Sequence, residues 1–450
     1  MRFRSSVTAP ASGALVLSVL VLSALLLPAG ARADSIGEQV AADYEYLGPL
    51  FEHFHRNPEL SFLETETAAR LAAELEAAGF EVTTGIGRTG IVAMMENGDG
   101  PTVLVRADMD GLPVEEDSGL PYASTATQVD LSGEEVPVMH ACGHDVHITS
   151  LVGTARRLAA NKDRWKGTVM LVGQPAEERI SGAREMMEDG LYERFGRPDY
   201  ALAFHVDADL PAGKIDAPTG IMGSSSDSVD IVVHGIGAHG ASPHAGKDPI
   251  VIGSQIVLAL QTLVSRELSP LEPGVVTVGA FHSGFKHNII SDRAELQLTV
   301  RSDSPETREK LLDGIDRIAE NIARAAGLPE ELLPEVTRST ESTPVMINDA
   351  ALAERLNAVL LEHFGPEQFA KQPRTGMGAE DFPFFTNVDP PVPGLYFQVG
   401  GTPQAAWDAA QDGGPPIPSH HSPFFRIDPE PAITVGTEAM VVAVMELLAP

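Results

Sequence analysis

Val103-Leu104-Val105-Arg106-Ala107-Asp108-Met109-Asp110 is an aliphatic run that stops in two acids. A short apolar run without polar alternation reads as a strand buried on both faces, as in a parallel or mixed sheet covered by helices. Such sheets bind ligands beyond the carboxyl ends of their strands. The pattern recurs along the chain. Met170-Leu171-Val172 leads to Gln174-Pro175-Ala176-Glu177-Glu178, and Ala201-Leu202-Ala203 leads to His205. Strand-like runs at Gly90 to Glu96, Thr102 to Ala107, Thr168 to Gly173 and Tyr200 to His205 alternate with helical stretches such as Glu64 to Ala78. The chain from about Ser35 to Gly220 is therefore expected to be an α/β layer, with Asp108 and Asp110 facing one side of an extended continuation.

Farther along, a Gly-Ser-rich hinge near Ser224 opens a second block. It reads strand (Val229 to Val233), helix (Pro249 to Leu268), strand (Val275 to His282), strand (Ala294 to Arg301), helix (Pro305 to Ala326), strand (Leu333 to Glu341). That order is the split βαβ pattern of a ferredoxin-like α+β domain. A third block follows with a helix from Ala350 to Phe364, Gly- and Pro-rich loops, and a terminal apolar helix from Ala432 to Leu448. The expected organisation is a discontinuous catalytic domain, 34–223 and 344–450, with residues 224–343 inserted. Residues 1–33 read as a signal peptide: Arg2 and Arg4, an apolar run from Ala14 to Leu27, and the small-x-small Ala31-Arg32-Ala33. The run is too short to span a bilayer comfortably, so cleavage after Ala33 and a periplasmic or secreted protein without a stable membrane anchor are expected.

The chain carries 63 Asp and Glu against 31 Lys and Arg, a formal net charge of -32. Nucleic acid is excluded as a partner on that balance. There is 1 cysteine, which leaves no intramolecular disulfide. It lies in Met139-His140-Ala141-Cys142-Gly143-His144-Asp145-Val146-His147, among imidazoles and an acid. A thiolate beside imidazoles suits zinc, cobalt or manganese-type sites better than magnesium or calcium. A helix starting near His144 would aim its free N–H groups at that cluster. In Glu177-Glu178, one carboxylate can bind a metal while its neighbour carries the proton of an activated water, the division of labour that amide hydrolysis needs. His205 ends the next strand, and His420-His421 adds imidazoles from the closing block. Two rivals stand beside this reading. A cysteine hydrolase with Cys142 as nucleophile is opposed by the surrounding acids, and a non-catalytic binding protein would have no use for Glu177.

Several strings together carry a resemblance: Arg106 to Pro113, Met139 to His147, Gln174 to Glu178, Gly237-Ala238-His239-Gly240-Ala241-Ser242-Pro243-His244, Gly378-Ala379-Glu380-Asp381-Phe382 and His421-Ser422-Pro423. In this order the chain resembles the amidohydrolase branch of the aminoacylase/carboxypeptidase superfamily of co-catalytic metallohydrolases, which includes hippurate hydrolases, N-acyl-L-amino acid amidohydrolases and indole-acetyl-amino acid hydrolases. The resemblance implies that Cys142, His144, Glu178, His205 and His421 ligate two divalent ions (Mn, Zn, Co or Ni), with Glu177 as general base and acid. His420 is left beside the ligand set. The resemblance further implies that His239, in the inserted block, reaches the reacting carbonyl as a lid histidine, often of the partner subunit in a homodimer. Asn288 and Arg301 take substrate-carboxylate positions, although Lys286-His287-Asn288-Ile289-Ile290-Ser291 lacks the proline that commonly follows the asparagine. The implied substrate is a small N-acyl or N-aroyl amino acid, with a dipeptidase or carboxypeptidase as the alternative on the same site.

Overall fold

In the computed structural model, which describes residues 35–450, the apolar runs form one mixed sheet. The expected signal segment and its cleavage point lie outside the described residues. The seven strands lie in the order Glu81–Ile86, Gly90–Asn97, Gly167–Gln174, Thr102–Asp108, Tyr200–Pro211, Gly394–Thr402, Ile215–Asp216. The four strands from Gly167–Gln174 to Gly394–Thr402 are parallel, and antiparallel strands flank them. Side chains alternate between two cores, as the period of a strand requires. Val103, Val105, Val169, Leu171, Leu202 and Phe204 join the core that contains helices Ile36–Arg56, His144–Ala160 and Pro429–Leu447. Leu104, Met170, Val172 and Ala203 join Met186, Phe382 and Phe385 on the opposite face.

Register places the functional ends at one height. Asp108 pairs with Gln174, and Arg106 pairs with Ala203, which puts Asp108 level with His205. Two expectations are corrected. The third block was expected to hold only loops between its helices, yet Gly394–Thr402 is an interior strand of the sheet. Leu395-Tyr396-Phe397-Gln398-Val399 is short and framed by Pro393, Gly394, Gly400 and Gly401, so breakers mask a strand that burial stabilises. Similarly, the strand expected to end at His205 continues through Pro211.

Residues 225–343 form a second sheet, antiparallel, with spatial order Gly274–Ser283, Arg293–Ser302, Ser225–His234, Glu335–Thr343. Helices Pro249–Thr262 and Pro305–Ala325 cover one face over a separate core that includes Ile231, Ile256, Leu296 and Leu311. Both helices begin at a residue whose carboxylate or hydroxyl accepts a first-turn N–H, Asp248 and Ser304, with proline next in sequence. The other face is open, as the alternation along Arg293–Ser302 shows, and Gly274–Ser283 is a free edge.

Candidate active site

Gly143 makes the first turn of the site. Its φ is +84°, and a Cβ there would meet Val206 at 2.3 Å, so only glycine lets Cys142 and His144 approach one point. His144 opens helix His144–Ala160 and donates from Nδ1 to the carbonyl of Asp110 at 2.9 Å, which leaves Nε2 free. His205 donates from Nδ1 to the carbonyl of Val206 at 2.7 Å, and its Nε2 stands 3.5 Å from Cys142 Sγ. Asp110 accepts the backbone N–H groups of Glu177 and Glu178 at 3.0 and 3.1 Å and fixes the tight turn that presents both acids. His421 Nε2 lies 3.4 Å from Glu178 Oε2, and His144 Nε2 lies 3.9 Å from Glu178 Oε1. Glu177 Oε2 is 3.8 Å from His144 Nε2.

The five residues expected to ligate metal are thus brought together, with Glu177 beside them. Their donor atoms form overlapping groups, Cys142-His144-His205, Cys142-Glu178-His421 and His144-Glu177-Glu178, with the atoms of each group within 4.8 Å of one another. Shared members are what a pair of adjacent ions needs. Two buried atoms, His144 Nε2 and Glu178 Oε1, have no hydrogen-bond partner, which is costly unless something else binds them. The electrostatics point the same way. Burial, then Glu178 and Glu177, push the Cys142 thiol well up, and burial pushes Glu178 to about 7. Burial and then Glu380 and Glu178 hold the Glu177 carboxyl far above its usual range. Burial opposes a charged His144, but Asp108 and Asp110 outweigh it and raise its pKa to about 10. A site that penalises the anions of Cys142, Glu177 and Glu178 and draws a proton to the free nitrogen of His144 fits divalent cations on both counts.

His147 is close but spent: Nδ1 donates to Asp108 at 2.5 Å, while Nε2 accepts the Val206 N–H at 2.8 Å. It supports the site without a lone pair to offer. Several supports had no role assigned from sequence. Arg106, fully buried, donates to Gln174 (2.7 Å), Asp108 (2.6 Å), Glu380 (2.6 Å) and Asp381 (3.3 Å), and Tyr396 donates to Glu380 at 2.7 Å. Arg106, Glu380 and Asp381 stood in two of the strings that carry the resemblance, but without an assigned role. His55 bridges Asp145 at 2.7 Å and Glu116 at 3.2 Å beneath the His144 helix, and no spacing announced it.

Cys142, Glu177, Glu178, His205 and His421 open onto a cavity of about 1110 Å³ whose lining includes Arg301. Burial lowers the Arg301 pKa and Asp227 raises it in part, while both arms of the Arg308 guanidinium bond the same Asp227 carboxylate at 2.8 and 2.7 Å. His239 and Asn288 lie elsewhere. They neighbour each other on the ribbon Ala238–His239/Ile289–Ile290, joined by the Gly240 N–H to Asn288 carbonyl bond at 2.9 Å. Both are exposed and outside the cavity lining.

These features define a hydrolase centre built for co-catalytic ions on an α/β sheet. A sequence profile of the peptidase family M20/M25/M40 matches residues 104–412, and the chain belongs to that family. It is 39% identical over 338 residues to a hippurate hydrolase of Campylobacter jejuni, covering 74% of this chain and 83% of that protein. It is 32% identical to the IAA-amino acid hydrolase ILR1-like 2 of Arabidopsis thaliana, over 86% of this chain and 81% of the relative. Among solved structures, it superposes on the Bacillus subtilis YXEP protein, described as a dinuclear metal binding peptidase of the M20 family, with a TM-score of 0.71 and 29% identity. That match covers 90% of this chain and 99% of that one.

Proposed function

We propose that this chain is a two-metal amidohydrolase that cleaves N-acyl or N-aroyl amino acids into a carboxylic acid and an amino acid. The observation that carries the reading is Glu177: a buried carboxyl of raised pKa, 3.8 Å from the free nitrogen of His144, in a cavity that Arg301 also lines. Cys142, His144, Glu178, His205 and His421 would hold the ions, from among Mn, Zn, Co and Ni. When bound, the ions supply Lewis-acid polarisation of the amide carbonyl and lower the pKa of water. Glu177 holds and moves the proton, from the attacking water to the departing nitrogen. Arg301 receives the substrate carboxylate through charge-assisted hydrogen bonds.

In this reading the block 224–343 is a ferredoxin-like lid and dimerisation domain. His239 and Asn288 reach the reacting carbonyl and the carboxylate only after closure or from a partner subunit. The free edge Gly274–Ser283 and the exposed Ile250, Val251 and Leu258 of the neighbouring helix supply a surface for a two-fold pair. Export with cleavage after Ala33 belongs to the same proposal, and N-terminal sequencing of the mature protein tests it.

One observation favours a second reading as a dipeptidase or carboxypeptidase. Asp207, Asp209 and Asp216 line the same cavity and would pair with a free α-ammonium group. A mass-spectrometric screen of benzoyl, acetyl and indole-acetyl amino acids beside unblocked dipeptides decides between them. Turnover of blocked substrates supports the amidohydrolase, and turnover confined to free dipeptides overturns it.

A further inference from the structure

Cys142 is contacted by a histidine that belongs to none of the ligand groups. His420 Nε2 accepts the backbone N–H of Ala208 at 3.1 Å, so that nitrogen carries a lone pair and the ring proton sits on Nδ1. Nδ1 lies 3.8 Å from Cys142 Sγ, within reach of an N–H···S contact. Asp207 Oδ1 is also near Nε2, at 4.0 Å, but the closer amide determines the tautomer. Ala208 is itself pinned, because Thr402 Oγ1 donates to its carbonyl at 2.6 Å. One strand, Tyr200–Pro211, therefore carries both the imidazole of His205 and the amide that orients His420. The ring is packed against Phe425 at 4.9 Å between centroids and against His205 at 5.2 Å.

The backbone is shaped to present this ring. His421 has φ +64°, a conformation that L residues adopt rarely, and its N–H donates to the Ala141 carbonyl at 2.9 Å. That kink sends the two adjacent histidines to different partners: His420 to Cys142 and His421 to Glu178.

We propose that His420 is a positioning residue of the metal centre, donating Nδ1–H to the Cys142 thiolate so that the sulfur keeps its direction and loses part of its charge. The inference rests on the two-metal reading above. Hydrogen bonds to a ligating sulfur are a general means of tuning its donor strength. They also blunt the thiolate toward peroxide, since withdrawn charge lowers its nucleophilicity.

Cobalt(II) titrated into the metal-free protein, with the thiolate-to-cobalt charge-transfer band as readout, tests this. His420→Gln places an amide at the Nε2 position and loses the sulfur donor, and His420→Phe loses both contacts. Each should shift the band to longer wavelength and weaken cobalt binding about 10–100-fold. His420→Asn, whose amide nitrogen falls at the Nδ1 position, should restore the band. An unmoved band and unchanged affinity in both the Gln and Phe variants would overturn the proposal. Should the variants fail to fold, the zinc-loaded native protein answers by long-range ¹⁵N–¹H correlation: a proton on Nδ1 of His420 supports the proposal, and a proton on Nε2 overturns it. Cys142→Ser separates the two levels. A band that survives that change refutes thiolate ligation, and with it the metal reading, rather than the role of His420 alone.

Discussion

The two regions that carry the expected site residues treat polar groups in opposite ways. At the carboxyl ends of the parallel strands, Asp108, Glu380 and Asp381 are buried around Arg106, which bonds all three, and Asp110 and Glu177 are buried beside them, joined by the Glu177 N–H to Asp110 bond. In the inserted block, His239 and Asn288 stand exposed at a two-residue ribbon separate from the four-stranded sheet, held by local backbone bonds and by the Ala241 N–H on His239 Nδ1 at 3.0 Å. A charge cluster buried at the sheet edge is rigid and already arranged for cations. The exposed pair has no chemistry until something brings it to the cavity. Under the proposed function, the first is the reaction centre and the second a recognition element that has to be brought to it by closure or by a partner.

The sharpest break in that comparison is Glu177→Gln. It removes the proton carrier and keeps the five metal-binding side chains, so kcat should fall by about 10²–10⁴-fold with metal content unchanged. Steady-state hydrolysis of an N-acyl amino acid alongside metal analysis checks it, and near-native turnover in a loaded variant would remove Glu177 from its role. His239→Ala probes the opposite region. Loss of a donor to the developing oxyanion should cost about 10²–10³-fold in kcat. If the histidine serves a partner's site, mixing inactive His239→Ala and Glu177→Gln subunits should regain activity in verified heterodimers. Heterodimers that stay inactive confine the residue to its own chain.

A smaller effect sits under the centre. Burial opposes a charged His55, but Asp145 and Glu116 overcome it and raise its pKa from 6.5 to about 9. A raised histidine contributes stability that is fully present below about 6.5 and is lost as pH climbs through about 9. That shift corresponds to about 3 kcal/mol. Urea unfolding at pH 6 and pH 9.5 should show a loss of that order in the native protein and a much flatter profile in His55→Leu. Equal slopes would mean that His55 is neutral. Mildest of all, Arg301→Ala should raise KM by about 10–100-fold with a small change in kcat, the signature of a lost charge-assisted contact to a distal carboxylate. An unchanged KM would place the carboxylate elsewhere.

What could be read from sequence follows the same division. Val103 to Asp110, Met170 to Glu178 and Ala201 to His205 announce strand ends loaded with chemistry, because burial forces unbroken apolar runs and function interrupts them. The positions of Cys142, His144, Glu177, Glu178, His205 and His421 around one point came from such runs and from their likeness to a family. The strand Gly394–Thr402 stayed hidden because glycines and prolines frame it, although its neighbour in the sheet supplies the stabilising pairing. The pairings of Arg106 with Glu380 and of His55 with Asp145 stayed unread for another reason. Their partners lie 274 and 90 residues away, and no local pattern encodes a distant ion pair.

The central claim is that the buried acids, the thiol and the imidazoles at the sheet edge exist to hold two catalytic ions. The most direct measurement is elemental analysis of purified residues 34–450 combined with an N-acyl amino acid hydrolysis assay before and after chelation. The account predicts two divalent ions per chain, activity lost on their removal, and activity regained with Mn, Zn, Co or Ni. Undiminished hydrolysis by protein stripped of metal would contradict it.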